Sequence, residues 1–421
     1  MSGHIVVIHR WRDRHAHYED YLDHRTHRVS YITTRLALDS VPAGAAAAEV
    51  VHATDNTAAV WRAVAALRSR FGAPERVVAL NEGDLDTAAE IRDRLGCPGQ
   101  TPDELARFRD KLTMNRIVAA AGVPAPDFAD APDENAVRRF ADRHGLPVVV
   151  KPRRGTASRG VVRIDSPADL PALGALPPEP RLVQAYCPDE IFHIDGLWTG
   201  DSLGPWRASR YVNSCVGFTQ GNALGSVEVD DPELLAALEQ FTARVAGALS
   251  SEPWVFHMEA FVGTAADGRP ALRFLEAGYR VGGAEIPFVW REVHGIDLMR
   301  AAIDIQLGRV PDLPAPPRRH VGGWLLVPSP VPAPCRVTAW DLPAPSSAGE
   351  GPYAAVIPEV GQVIPRVGGY EHVGARFRFR GDTSGEVEKA VVGTAARFRL
   401  DCAPETPAAA GGGRVVCGLD R

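Results

Sequence analysis

The 421-residue sequence predicts an α/β protein: a parallel strand–helix unit at the N-terminus, two α+β lobes, and a strand-rich C-terminal segment. Three observations predict this. The apolar run "HIVVIH" from His4, the amphipathic "DNTAAVWRAVAALRSRFG" closed by a glycine, and the run "RVVALNE" from Arg76 read as strand, helix and strand at the spacing of a parallel unit. Further on, apolar runs pair around turn signals instead, most clearly in "HMEAFVGTAADGRPALRFLEAGYRVGG" from His257, where Asp267-Gly268 centres a hairpin. The composition, 45% hydrophobic and 23% charged, is that of a packed globular chain, long enough for two to four units.

The elements follow in order. "DLDTAAEIRDRLGCPG" is a helix with acidic residues early and glycine at its end, as the helix dipole favours, and it closes an N-terminal α/β domain over residues 1–105. "DELARFRDKLTMNRIVAAAGVPAP" is helical until Gly122 and Pro124 stop it, and "GLPVVVKPRRGTASRGVVRI" is strand, glycine-containing loop, strand; together they make a small lobe over 106–182. "RLVQAYCPDEIFHIDGLWTGD" reads as two strands broken at Pro188, followed by the helix "DPELLAALEQFTARVAGAL", the hairpin and "HGIDLMRAAIDIQLG". This larger lobe, 183–318, ends in the proline-rich linker "VPDLPAPPRR". Residues 319–400 read as strand-like and glycine-rich, and 401–421, which open with low complexity, as a disordered tail.

Bulk properties narrow the function. A net charge of −6 gives no reason to expect nucleic acid or an anionic membrane as partner and leaves small molecules as the natural substrates. No run approaches the roughly 18 apolar residues of a membrane span, and no targeting segment is apparent, so the expected location is cytoplasmic. The six cysteines are scattered, without Cys-x-x-Cys or finger spacing, and read as reduced thiols. His4, His9, His15, His17, His24 and His27 crowd the N-terminus, but no cysteine or patterned carboxylate completes a tetrahedral zinc set, so they read as solvated loop histidines. Lysine is scarce: only Lys111, Lys151 and Lys389 stand among 46 basic residues. A lysine kept in such a background marks a place where a compact ammonium is not exchangeable for a guanidinium.

Pairing about the centre of Asp267-Gly268 sets Glu259 against Glu276 and His257 against Gly278. Two opposed carboxylates repel unless a proton or cation lies between them, and a pair of carboxylate oxygens suits Mg2+, which keeps waters and shares phosphates. Lys151 precedes "PRRGTASRG", whose Gly155 and Gly160 let backbone amides approach an anion while Thr156 and Ser158 offer hydroxyls. It is not a Walker loop, because Val161-Val162 stands where Lys-Ser/Thr belongs.

In this order, "RDKLTMNRIVAAAGVPAPDF", "PVVVKPRRGTASRGV", "LVQAYCPDEIFHIDG", "HMEAFV" and "FLEAGYRVGG" resemble the ATP-grasp superfamily, particularly its carboxylate-amine ligases. The resemblance implies an ATP-grasp fold with a Rossmann-like pre-ATP-grasp domain and two lobes clamping the nucleotide. It implies that Lys111 and Lys151 hold phosphates, that Gly155 to Gly160 form the lid, and that Gln184, Ala185 and Tyr186 are the hinge reading adenine. Glu190 is the candidate ribose acid, with His193 or Asp195 as alternatives under a shifted alignment. Glu259 and Glu276 match the magnesium carboxylates and Arg280 the arginine that grips an acyl phosphate or substrate carboxylate. One departure is clear: the family's Glu-x-Asn-x-Arg reads Glu276-Ala277-Gly278-Tyr279-Arg280, so water, a phosphate oxygen or, third in order of preference, His257 fills the asparagine's place, or the metal binds weakly. Arg210 is the nominee for a second phosphate-facing cation, and Phe218 and Gln220 for the border of the substrate pocket.

The implied reaction is phosphorylation of a carboxylate by ATP with Mg2+, then displacement of phosphate by an amine, giving an amide, ADP and phosphate. Amino acids are the expected substrates, a specialised natural-product pathway the expected setting, and a homodimer the family-level expectation. A ligase loading a carrier-protein thiol and a non-catalytic nucleotide-binding protein are the other readings.

Overall fold

The computed structural model describes residues 3–12, 15–155, 159–213, 217–218, 220–313, 320–345, 351–366 and 373–405. The N-terminal unit is a parallel sheet in the order β3-β2-β1-β4, built from β1 (His4–His9), β2 (Arg28–Thr34), β3 (Ala47–Val51) and β4 (Arg76–Ala79). The strands of such a sheet are buried on both faces, which is why β1 and β4 read as nearly continuous apolar runs. The helix Thr57–Phe71 is capped by Asn56, and the helix Glu82–Leu95 begins three residues beyond β4. This placement brings Glu82, at the C-terminal end of a parallel strand, to the edge where such sheets bind ligands.

The small lobe is an antiparallel sheet, order β5-β8-β6-β7, of β5 (Phe128–Asp130), β6 (Val148–Pro152), β7 (Val162–Ile164) and β8 (Arg181–Ala185). The helix Lys111–Ala120 leads into it, capped by Asp110, whose side chain accepts from Leu112 N and Thr113 N. The eight-stranded sheet takes β9 (Glu190–Trp198), β10 (Leu203–Tyr211), β11 (Leu224–Glu228), β12 (Trp254–Thr264), β13 (Pro270–Gly278) and β14 (Val321–Val327). After β15 (Cys335–Asp341) come β16 (Ala354–Val356), β17 (Val363–Ile364), β18 (Ala375–Gly381) and β19 (Arg399–Pro404). The large sheet runs β13-β12-β9-β10-β11-β14-β18-β16, and β17-β15-β19 form a separate one.

The C-terminal segment differs from its sequence reading in two respects. Ser384–Arg397 is a 14-residue helix within the stretch read as strands, capped by Thr383 and packed through Val387 and Val391 onto the large sheet. Residues 401–404, assigned from sequence to the tail, belong to β19, where Cys402 faces Val337. The N-terminal histidines also depart from a solvated cluster. His4 and His9 are buried within β1, where His4 Nε2 meets Ser30 Oγ at 3.1 Å and His9 Nε2 meets Ser40 Oγ at 2.7 Å, and His15 is buried between Trp11 and Phe288. One core joins the N-terminal sheet to Val281, Ile286, Trp290 and Trp324 of the larger lobe, so the parallel unit is fixed beside the hairpin.

Candidate active site

The hairpin holds Glu259 opposite Glu276 and His257 opposite Gly278. The turn alone does not produce this register. Near it the pairs centre on Asp267, Thr264 facing Pro270 and Phe261 facing Arg273, which would set Glu259 against Leu275; a bulge at Leu275 supplies the extra residue. Cross-strand partners share a face, so His193 and Asp195 of β9, opposite Glu259 and His257, join the same surface, as does Tyr211, two residues from Ser209, which faces His193.

Burial and repulsion act on the carboxylates. Burial first, then Glu276, pushes the Glu259 carboxyl above its ordinary range, while Tyr211 donates its hydroxyl to Glu259 Oε1 at 2.9 Å. Burial opposes ionisation of Glu276 too, although its side chain keeps 34% exposure against 15% for Glu259, and Lys111 and Lys151 outweigh that effect and hold it ionised below its ordinary range. Lys111 Nζ lies 3.1 Å from Glu276 Oε2 and donates to Gly155 O at 3.0 Å, tying the hairpin to the start of the glycine loop. Lys151, on β6, is 5% exposed and donates to Gln184 Oε1 at 2.8 Å; burial, only partly offset by Glu276, pushes its ammonium down to about 8.

Arg280 reaches back to the N-terminal unit. Its Nε donates to Glu82 Oε2 at 2.6 Å and its Nη1 to Val281 O at 3.0 Å. Burial would raise the Glu82 carboxyl, but Arg280, Arg109 and Lys111 together hold it at about 2. Below the carboxylate pair, Asp195 accepts from two imidazoles: His193 Nδ1 at 2.6 Å and His257 Nδ1 at 2.8 Å. His193 Nε2 meets Ser226 Oγ at 2.7 Å. Burial opposes ionisation of Asp195, yet His257 and His193 hold it well below the usual carboxylate range.

Gly282 closes over this group. A Cβ there would sit 2.5 Å from Ile286 Cδ1 and 2.9 Å from His257 Nδ1, and closer still to Asp195 Oδ1. Gly282→Ala is therefore expected to cost about 1–3 kcal/mol through overpacking and a displaced Asp195–His257 hydrogen bond. Urea unfolding of the two proteins checks it, and an unchanged midpoint would mean the group has room to yield.

The structure brings together Lys111, Lys151, Gly155, Gln184, His193, Glu259, Glu276 and Arg280, but not every candidate. Arg210 faces Phe192 and Val227, so alternation puts it on the opposite side of the sheet from Glu259, where its Nη2 donates to Glu388 Oε1 at 2.6 Å. The adjacent Tyr211 holds the inward position. Glu190 is exposed, opposite Val262 at the start of β9, and likewise turns from the carboxylate face. Ala185 ends β8 where the chain crosses between sheets, but its N–H is bonded to Asp127 O and that of Tyr186 to Pro147 O, so neither amide is open to a base. Gly160 has φ +71°, a conformation glycine favours, while Thr156 and Ser158 lie outside the described residues. Phe218 packs at the edge of the core shared with the N-terminal unit, Gln220 is exposed, and Lys389 sits on the exposed side of its helix. Glu82 and Tyr211 are the residues that sequence reasoning missed.

Taken together, a parallel unit, a four-stranded lobe and a large antiparallel sheet carrying paired carboxylates define the ATP-grasp fold. Among solved structures, the chain superposes on L-amino acid ligase from Bacillus licheniformis over 95% of its length and 98% of that chain, with a TM-score of 0.67 at 16% identity. The biotin carboxylase domain of Hydrogenobacter thermophilus 2-oxoglutarate carboxylase, solved with MgADP and bicarbonate, gives 0.66 at 14% identity over 96% of this chain and 91% of that one. The L-arginine-specific L-amino acid ligase of Bacillus subtilis is 23% identical over 269 residues, 62% of this chain and 64% of the relative. The chain thus spans less than two thirds of that relative, and 10–18% of three others matched over short segments. No protein-family model matches it.

Proposed function

We propose that the protein is an ATP-dependent carboxylate-amine ligase acting on amino acids: ATP phosphorylates a substrate carboxylate, and an amine displaces phosphate to form an amide, with release of ADP and phosphate. The observation that carries this reading is the juxtaposition of Glu259 and Glu276, opposed across the hairpin, with Lys111 in contact with Glu276 and the charge of Lys151 acting on it from the small lobe. The donor set fits a magnesium ion: two carboxylates face each other across the hairpin with a repulsion that a divalent cation would relieve. Bound there by Glu259 and Glu276, the ion would neutralise phosphate charge during transfer.

The chain's own residues do the rest. Lys111 and Lys151 supply positive charge to the nucleotide phosphates, and Arg280, held against Glu82, presents a guanidinium of fixed orientation to an acyl phosphate or carboxylate. Tyr211 fixes one oxygen of Glu259. A homodimer, a cytoplasmic location and a natural-product role belong to the same reading, and loading of a carrier-protein thiol is the alternative to it. Mass spectrometry of products formed from ATP, Mg2+ and pooled amino acids tests it. ADP with a new amide mass supports the ligase; AMP overturns the acyl-phosphate route; unconsumed ATP favours a nucleotide-binding protein without turnover.

Lys151 adds a pH dependence. Phosphates bind the charged ammonium, and in the free protein that ammonium loses its proton near pH 8. ATP affinity should therefore fall by about tenfold per pH unit above 8, with proton uptake on binding. Calorimetry in buffers of different ionisation enthalpy measures both, and a flat affinity to pH 9.5 would exclude Lys151 as a phosphate ligand.

A further inference from the structure

Gly278 leaves the metal pair one protein ligand short of the family pattern, and the residue opposite it on β12 is His257. Three features of that imidazole bear on the gap. Its ring is oriented: Nδ1 lies 2.8 Å from Asp195 Oδ1, and because an ionised carboxylate only accepts, Nδ1 carries the hydrogen. Its other nitrogen is turned to one of the two carboxylates: Nε2 is 3.8 Å from Glu259 Oε1. And the ring is held from behind, since Asp195 is itself anchored by His193, whose two nitrogens are taken by Asp195 and Ser226. His193, Asp195 and His257 place three ligand-type atoms within 4.8 Å of one another, but their hydrogen bonds already account for that triangle. The nitrogen aimed outward from it is His257 Nε2.

We infer that His257 Nε2 is the third protein ligand of the divalent cation held by Glu259 and Glu276, replacing the carboxamide that Gly278 lacks, with Asp195 orienting the ring. A carboxylate hydrogen-bonded to the far nitrogen of a metal-binding imidazole is a recurrent arrangement, and it strengthens the ligand. The inference rests on the metal reading under Proposed function and adds a consequence to it. Two oxygens and a nitrogen favour Mn2+ over Mg2+ more than an all-oxygen set does, because Mg2+ is the harder cation, taking oxygen ligands and accepting an imidazole nitrogen less readily.

The probe is Mn2+ with unlabelled ADP on the full-length protein labelled with 15N, read by pulsed electron paramagnetic resonance. Directly bound 15N from an imidazole is expected in the natural sequence and lost in His257→Gln. Asp195→Asn is expected to weaken Mn2+ about 10–100-fold, the size typical of an orienting partner. Carrying Gly278→Asn in the His257→Gln protein should restore Mn2+ affinity without the imidazole coupling; an added Cβ at Gly278 comes no closer than 3.4 Å to a neighbour. The measurement on the unsubstituted protein needs no variant to fold. Mn2+ bound with affinity sensitive to Glu276→Gln but without coupling to protein nitrogen would overturn the His257 assignment and leave the metal pair standing. Mn2+ that does not bind at all, or binds equally in Glu276→Gln, would overturn both.

Discussion

Glu276→Ala is expected to lower kcat by about 10^3-fold or more while leaving the protein folded. The size follows from what the side chain does at once. It is one of the two oxygen ligands proposed for the cation, and it is the group that Lys111 contacts at 3.1 Å and that helps keep Lys151 charged. Its removal takes away cation charge, unpairs Lys111 and leaves Lys151 with less countercharge, and these losses fall on the phosphoryl-transfer step. Folding should survive because the Glu259–Glu276 repulsion is relieved at the same time. Glu276→Gln separates charge from shape: it keeps the side chain's volume, so a turnover defect as deep as alanine's assigns the loss to charge. Steady-state kinetics with saturating Mg2+ and a thermal melt decide the matter. Activity within a factor of ten of the unsubstituted protein would remove Glu276 from the metal site.

How far this site was legible from the sequence turns on local geometry. Glu259 and Glu276 were readable because both lie on one hairpin whose turn is announced by Asp267-Gly268, and strand alternation then orders their neighbours. Even so, the register was reached through a bulge at Leu275 that no residue type announces; a regular hairpin on the same turn would have given a different partner. The nominee on β10 missed by one residue for the same reason in reverse. No tight turn fixes that strand's phase, so nothing in the sequence separates Arg210, the nominee, from its neighbour Tyr211, and only the sheet assigns their faces. Glu82 was out of reach for another reason: its partner Arg280 is 198 residues away, and only the packing of the parallel unit against the large lobe joins them. A partial signal existed in its place just after an apolar strand. The helix Ser384–Arg397 was hidden by valines and Gly393, although the Thr383-x-x-Glu386 spacing is a start signal.

Lys151→Met should abolish measurable nucleotide binding and yet raise the stability of the ligand-free protein. Two numbers set the sign. An exposed lysine loses its proton near 10.5 and Lys151 near 8, a difference worth roughly 3 kcal/mol against the fold at neutral pH. Methionine of similar length removes that cost, but it leaves Gln184 Oε1 without its donor, beside an Nε2 that has no partner among the described residues. A buried unsatisfied acceptor costs about 1–3 kcal/mol, so the net gain should be at most about 2 kcal/mol. The pH profile distinguishes this cause from a general packing effect. Between about pH 8 and 10.5 the unfolded chain holds a proton that the folded Lys151 does not, so stability attributable to this residue rises with pH across that window. Below pH 8 both states are protonated and the full cost is present. The methionine variant should lack the rise, so its advantage should be gone by about pH 9.5, and by about pH 10.5 the parent should be the more stable by roughly the 1–3 kcal/mol of the unsatisfied Gln184 acceptor. Urea unfolding at pH 7 and pH 9.5 measures both quantities. A variant less stable than the parent at pH 7 would show that the buried ammonium is compensated within the ligand-free fold, and the proposed trade of stability for a phosphate-binding charge would fall.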